Sequence, residues 1–151
     1  MSLDNQKSCF RHQWLDKVNN EGRLLLLGVG GFIFHRPMDR SHSGWQFNIR
    51  LEDIESINVP VAVYGIGYNK FPYDSHEFPK KTWDTLQAVI DKSVAFSVRN
   101  NGTYDIMEQA GLDMSKVTVV PDSAMFIEPF PFYHEELNND KTKIGLNWAT
   151  D

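Results

Sequence analysis

Cysteine is almost missing from this sequence: Cys9 stands alone among 151 residues. A single thiol excludes an internal disulfide framework and any zinc site built from several cysteines of one chain. It fits a reducing, cytoplasmic setting. A basic surplus is missing too. The formal net charge is −5, which argues against a general nucleic-acid binder, because phosphates need a basic surface to neutralise them. A local basic pocket for a small anion stays open. Long apolar runs are also lacking. The longest, Leu24 to Leu27, is far too short to cross a bilayer, so no transmembrane segment is expected. Residues 1–22 carry Asp4, Arg11, Asp16, Lys17 and Glu21 and lack the apolar core of a signal peptide. The histidines at 12, 35, 42, 76 and 134 share no ligand spacing, so no metal site is expected.

What is present describes a globular domain. Hydrophobic residues make up 41%, charged residues 23% and aromatics 13% of the chain, enough apolar bulk for one core without covalent staples. Phe10, Trp14, Leu15 and Val18 have the spacing of a short amphipathic helix. Continuous apolar stretches near 23–28, 60–65, 93–98 and 116–120 predict strands buried in a parallel sheet. Between them, Trp83, Leu86, Val89 and Ile90 share a helical face over 80–92. Thr103, Ile106, Met107 and Ala110 do the same before Gly111, a usual helix stop. Residues 35–50 read as a polar loop without periodicity. Strands alternating with helices predict a three-layer, Rossmann-like α/β domain with a mainly parallel sheet.

In such sheets ligands sit at the carboxyl ends of the strands, and the chemistry-bearing residues fall there. Gly28, Gly30 and Gly31 follow the first strand and Gly65 and Gly67 the second, where bare backbone can approach an anion. The first loop fails the dinucleotide fingerprint, since Ile33 stands where a third glycine is needed, and no phosphate-loop Gly-Lys-Ser/Thr follows. A plain tight turn explains either loop equally well. Tyr68 and Asn69 offer polar groups suited to a sugar. Arg99 ends the third strand, just before Asn100, Asn101 and a helix start, so a guanidinium fork and free helix N–H groups would meet one anion. The plain alternative is a surface ion pair with Asp105 or Glu108. Asp122 closes the fourth strand. It would orient a ligand hydroxyl, hold Arg99, or simply cap a turn.

Read together, Leu25-Leu-Leu-Gly-Val-Gly-Gly-Phe, Ser43-Gly-Trp-Gln-Phe-Asn, Pro60-Val-Ala-Val-Tyr-Gly-Ile-Gly-Tyr-Asn, Phe96-Ser-Val-Arg-Asn-Asn-Gly-Thr and Val119-Val-Pro-Asp-Ser-Ala resemble, in order and spacing, the polysaccharide pyruvyl transferases. The resemblance covers about residues 23–127; Val29 interrupts a loop usually richer in glycine, and Thr103 stands where serine is common.

The resemblance implies one half of a GT-B-like enzyme. That enzyme moves an enolpyruvyl unit from phosphoenolpyruvate, a substrate rather than a cofactor, onto a sugar of a cell-surface polysaccharide. It implies donor-anion binding by Arg99 and substrate binding by Gly30, Gly31, Gly67, Tyr68, Asn69, Asn100, Asn101 and Asp122. It also implies that 1–127 form an N-terminal-type domain incomplete at its start, 128–142 a linker, and 143–151 the first strand of a second domain. A chain so divided would be inactive alone. It would self-associate through uncovered apolar surface, with Ile144, Leu146 and Trp148 on alternate positions of the last strand. The general acid and base are expected in the second domain, with His35 and His42 as lesser candidates. A sugar-nucleotide glycosyltransferase domain and a non-catalytic sugar-binding module remain as alternatives.

Overall fold

The structure, a computed structural model, describes residues 13–34, 42–69, 77–128 and 142. The expected linker at 128–142, apart from its first and last residues, and the expected strand at 143–151 lie outside the described residues, as does His35.

A helix at 13–21 (α1) leads into β1 (Leu25–Phe34). A short helix α2 (Leu51–Glu55) precedes β2 (Val61–Asn69). Then come α3 (Lys80–Lys92), β3 (Ser93–Val98), α4 (Asn101–Gln109), β4 (Val117–Val119) and a 3₁₀ turn at Ser123–Phe126. The four strands form one sheet in the order β1-β2-β3-β4, and every neighbouring pair is parallel. The fold is therefore α/β, a mainly parallel sheet flanked by helices, consistent with a Rossmann-like three-layer architecture.

Alternation sets the core. Leu27, Val63, Phe96 and Val117 lie in register across the four strands, and all are buried. Leu86, Val89 and Ile90 of α3 and Met107 of α4 join them in one cluster. Leu26 and Tyr64, which alternate with these, are exposed, as are Leu24 just before β1 and Val94 at the register shift between Ser93 and Ala95. α3 passes into β3 without a loop: Lys92 is helical and Ser93 already extended, with the Ser93 hydroxyl donating to the Val89 carbonyl at 2.6 Å. A β-branched, apolar run follows, so the chain switches from helix to strand where its propensities switch.

The stretch 42–50 is irregular in backbone but not a surface loop. Ser43, Gly44, Trp45 and Ile49 are buried. The Ser43 hydroxyl donates to the Phe47 carbonyl at 2.7 Å, and the Trp45 indole N–H donates to the Thr85 hydroxyl on α3 at 3.0 Å. Side-chain hydroxyls thus satisfy polar groups that regular structure would otherwise pair, which lets an aperiodic segment enter the core.

The strands also run further than their apolar stretches. β1 continues through Gly28, Gly30 and Gly31 to Phe34, and β2 through Gly65 and Gly67 to Asn69. Gly30 and Gly65 mark bulges rather than stops. β1 gains a residue on β2 between Gly30 and Ile33, where Gly30 has φ of 106°. β2 gains one on β3 between Val63 and Ile66, where Gly65 has φ of 59°.

Candidate functional site

The strands end unevenly, and the unevenness makes the site. Gly30, Ile66, Val98 and Val119 lie side by side. There β3 stops and β4 ends, while β1 and β2 carry on to Phe34 and Asn69, still paired. The protruding end of β2 therefore forms a step above β3. Arg99 is the first residue past that level, and its N–H still donates to the Ile66 carbonyl at 3.0 Å.

From there the Arg99 side chain lies back across β2. A Cβ placed on Gly67 would overlap the Arg99 Nε, so the bare backbone of Gly67 is the bed of the guanidinium. One strand over, Asn69 lies across Gly31 in the same way: a Cβ there would overlap the Asn69 side-chain amide. Gly30 is different. Its Cβ direction meets nothing within 4 Å, so its need for glycine comes from the positive φ of the bulge.

Arg99 does not pair with Asp105 or Glu108. Its ion-pair partner among the described residues is Asp122, with Nη1 to Oδ2 at 3.6 Å and the two side chains 25% and 49% exposed. Asp122 at the same time caps the 3₁₀ turn, its Oδ1 accepting from the Ala124 N–H at 3.0 Å. The capping role and the arginine-holding role, alternatives in the sequence, are thus both filled, one by each carboxylate oxygen. At this exposure the pair contributes less than about 1 kcal/mol to stability. It is weak enough to be exchanged for a competing anion.

Asn100 caps α4: its Oδ1 accepts from the Thr103 N–H at 2.8 Å and from the Thr103 hydroxyl at 2.9 Å. Its carbonyl oxygen is therefore committed to the helix. Asn101 is the first helical residue and is exposed. The N–H groups of Asn101 and Gly102 have no carbonyl to reach inside the helix, so this end of α4 adds partial positive charge beside Arg99. Tyr68 is half-buried, with its ring 5.5 Å from that of Phe78, which in turn packs on Trp83. Its ring is thus part of an aromatic stack, while its backbone N–H donates to the Thr103 hydroxyl at 3.0 Å. His42 is exposed, and its N–H donates to the Asn48 side chain at 2.8 Å in the 42–50 segment.

Two hydroxyls hold β2 in place where its ladder to β3 fails: Ser97, which no sequence pattern marks, and Thr103, which the sequence marks only as a helical-face position where the family commonly has serine. Ser97 accepts from the Gly65 N–H at 3.0 Å, inside the bulge. Thr103 accepts from Tyr68 beyond the end of β3. Both are buried. Among the described residues, no three His, Cys, Asp or Glu side chains cluster as metal ligands. Nor is any helix among them long and apolar enough to cross a membrane.

A parallel α/β domain with a guanidinium, a carboxylate and a helix N-terminus gathered at its strand ends belongs to the layered folds that hold ligands at that edge. The sequence model of one such family, described as polysaccharide pyruvyl transferase, matches residues 2–149 of the chain, and the chain belongs to that family. Comparison with curated proteins and with solved structures gave no match.

Proposed function

We propose that this domain binds the phosphoenolpyruvate donor of a pyruvyl transfer to a saccharide, with Arg99 as the anion-binding residue. The observation that carries the reading is the bed of Arg99. Its guanidinium rests on Gly67, next to the N-terminus of α4, and its partner is a half-exposed carboxylate. A donor carboxylate or phosphate would displace Asp122 and meet the fork and the helix N–H groups together. The chemistry needs such a site. Protonation of the enol methylene makes the adjacent carbon electrophilic, and one sugar hydroxyl adds to it and loses its proton. Phosphate departs with the C–O bond electrons, and a second hydroxyl closes the ketal and loses its proton in turn. Charge accumulates on the departing phosphate, where a guanidinium stabilises it.

Asn69, lying over Gly31, and the Asn100–Asn101 corner would line the saccharide side. The general acid and base, and the rest of the donor site, would in this reading come from outside residues 13–128. The cytoplasm, which supplies phosphoenolpyruvate, is the matching compartment. The test is a calorimetric titration of the full chain with phosphoenolpyruvate. Saturable binding is expected, weakened at least about tenfold in Arg99→Lys, which keeps the charge but loses the planar fork. Binding of nucleotide sugars with none of phosphoenolpyruvate would replace this reading with the glycosyltransferase one.

A further inference from the structure

We propose that Thr103 is a positioning residue for the donor site: its hydroxyl ties the Gly67–Tyr68 backbone to the Arg99–Asn100 corner and so fixes the bed on which the Arg99 guanidinium lies. The donor role of Arg99 is the reading argued above; the tie itself is a matter of geometry.

Arg99 is held between two pieces of chain that regular structure does not join. Beneath it is β2, which at Gly67 has already outrun β3. Beside it is the start of α4, opened by Asn100. The backbone bond from Arg99 N–H to the Ile66 carbonyl pins the root of the side chain, but it lies below the step. Above the step, among the described residues, the Tyr68 N–H crosses to Thr103 Oγ1 at 3.0 Å.

That hydroxyl both accepts and donates, and its one proton is committed. It accepts from Tyr68 and donates to Asn100 Oδ1 at 2.9 Å, and the same Asn100 oxygen accepts the Thr103 N–H at 2.8 Å. A hydroxyl has one proton to give, so the donor–acceptor direction of the chain from β2 through Thr103 to Asn100 is fixed. Thr103 is 1% exposed, so no water replaces it. The Thr103 side chain therefore does more than fill an apolar position of α4. It substitutes for the missing strand at the one place where the guanidinium needs β2 and α4 to stay in register. Ser97 does the equivalent below the step, at Gly65, but it does not reach the Arg99 corner.

The test compares the unmutated full chain with Thr103→Val, which keeps the shape and loses the hydroxyl, and Thr103→Ser, which keeps the hydroxyl. Three quantities are read: amide hydrogen exchange at Tyr68, the NMR resonance of the Arg99 Nε–H, and the affinity for phosphoenolpyruvate. In Thr103→Val the Tyr68 amide should lose protection and the Arg99 Nε–H signal should broaden toward that of a free side chain. Phosphoenolpyruvate should bind about tenfold more weakly, the size of one lost buried hydrogen bond. Thr103→Ser should restore all three. A role in stability alone would lower the melting temperature without moving the Arg99 resonance selectively. If Thr103→Val does not fold, Thr103→Ala removes the same hydroxyl with less crowding and the same outcomes are read. An unchanged Arg99 resonance in a folded variant whose Tyr68 amide has lost protection would overturn the assignment. If the unmutated chain binds no phosphoenolpyruvate, the donor reading fails, and the Arg99 resonance still decides the role of Thr103.

Discussion

Gly67 and Gly30 are both glycines of the same sheet edge, yet they are glycine for opposite reasons, and substitution separates them. At Gly67 the backbone is ordinary and the obstacle is the Arg99 side chain above it. Gly67→Ala is expected to leave the fold within about 1 kcal/mol of the unmutated chain, because a flexible side chain yields. The guanidinium must lift off its bed, so phosphoenolpyruvate binding should fall at least about tenfold. Gly30→Ala has open space but a positive φ, and should cost about 1–3 kcal/mol through backbone strain. Thermal melts and titrations of the two variants check the contrast. A Gly67→Ala chain that binds like the unmutated one would remove the bed from the argument. Residue identity at such positions was legible in the sequence only as "glycine at a strand end". The side chain that lies across Gly67 comes from Arg99, far along the chain, and no local pattern carries that information.

At the scale of the element, adjacent leucines of β1 test which way the strand faces. Leu27 is 7% exposed and in register with Val63, whereas Leu26 is 61% exposed. Leu27→Ala should cost about 2–5 kcal/mol, as core truncations do. Leu26→Ala should stay within about 0.5 kcal/mol. Equal losses, measured by denaturant unfolding, would mean that both faces of the strand are packed. The helix cap gives a second measurement: Asn100→Ala removes the acceptor for Thr103 N–H and should cost about 1 kcal/mol.

The strands and α3 were readable because each is one uninterrupted pattern, apolar runs for the strands and 3.6-residue spacing for Lys80–Lys92. The strand ends were not. Gly30 and Gly65 look like terminators locally, and only pairing with a neighbour reveals a bulge. Residues 35–50 read as a polar loop for a similar reason, although their described part, 42–50, enters the core. Trp45 is fully buried there, but by hydroxyl bonds to Ser43 and Thr85 that have no period.

For the whole molecule, the sheet face bearing Leu24, Leu26, Tyr64 and Val94 predicts self-association with a second copy of the chain. These side chains are exposed, apolar or aromatic, and uncharged, and parallel sheets ordinarily have both faces covered. Sedimentation velocity should show a mass that rises with concentration. The double substitution Leu26→Lys with Val94→Lys should hold the chain as a monomer. A concentration-independent monomer before any substitution would sink this expectation. Arg99 points to a different use of the sheet. Its placement was foreseeable from the rule that parallel strands end together, but they do not end level, and the step came from pairing that the sequence does not display.

That step is a matter of counting. β3 is six residues long and β2 nine, and the Arg99 side chain reaches Gly67 because it leaves the sheet at the level of Ile66. An insertion of two residues after Val98 would keep every side chain of β3 on its face, since the strand period is two, and would carry Arg99 about 6.6 Å further along. The sheet would survive and the guanidinium would overshoot Gly67. Such a chain should fold and melt nearly as before while losing phosphoenolpyruvate. The specification of this site would then lie in the length of one strand relative to its neighbour as much as in the identity of Arg99, and a family alignment should refuse an extra pair between Val98 and α4.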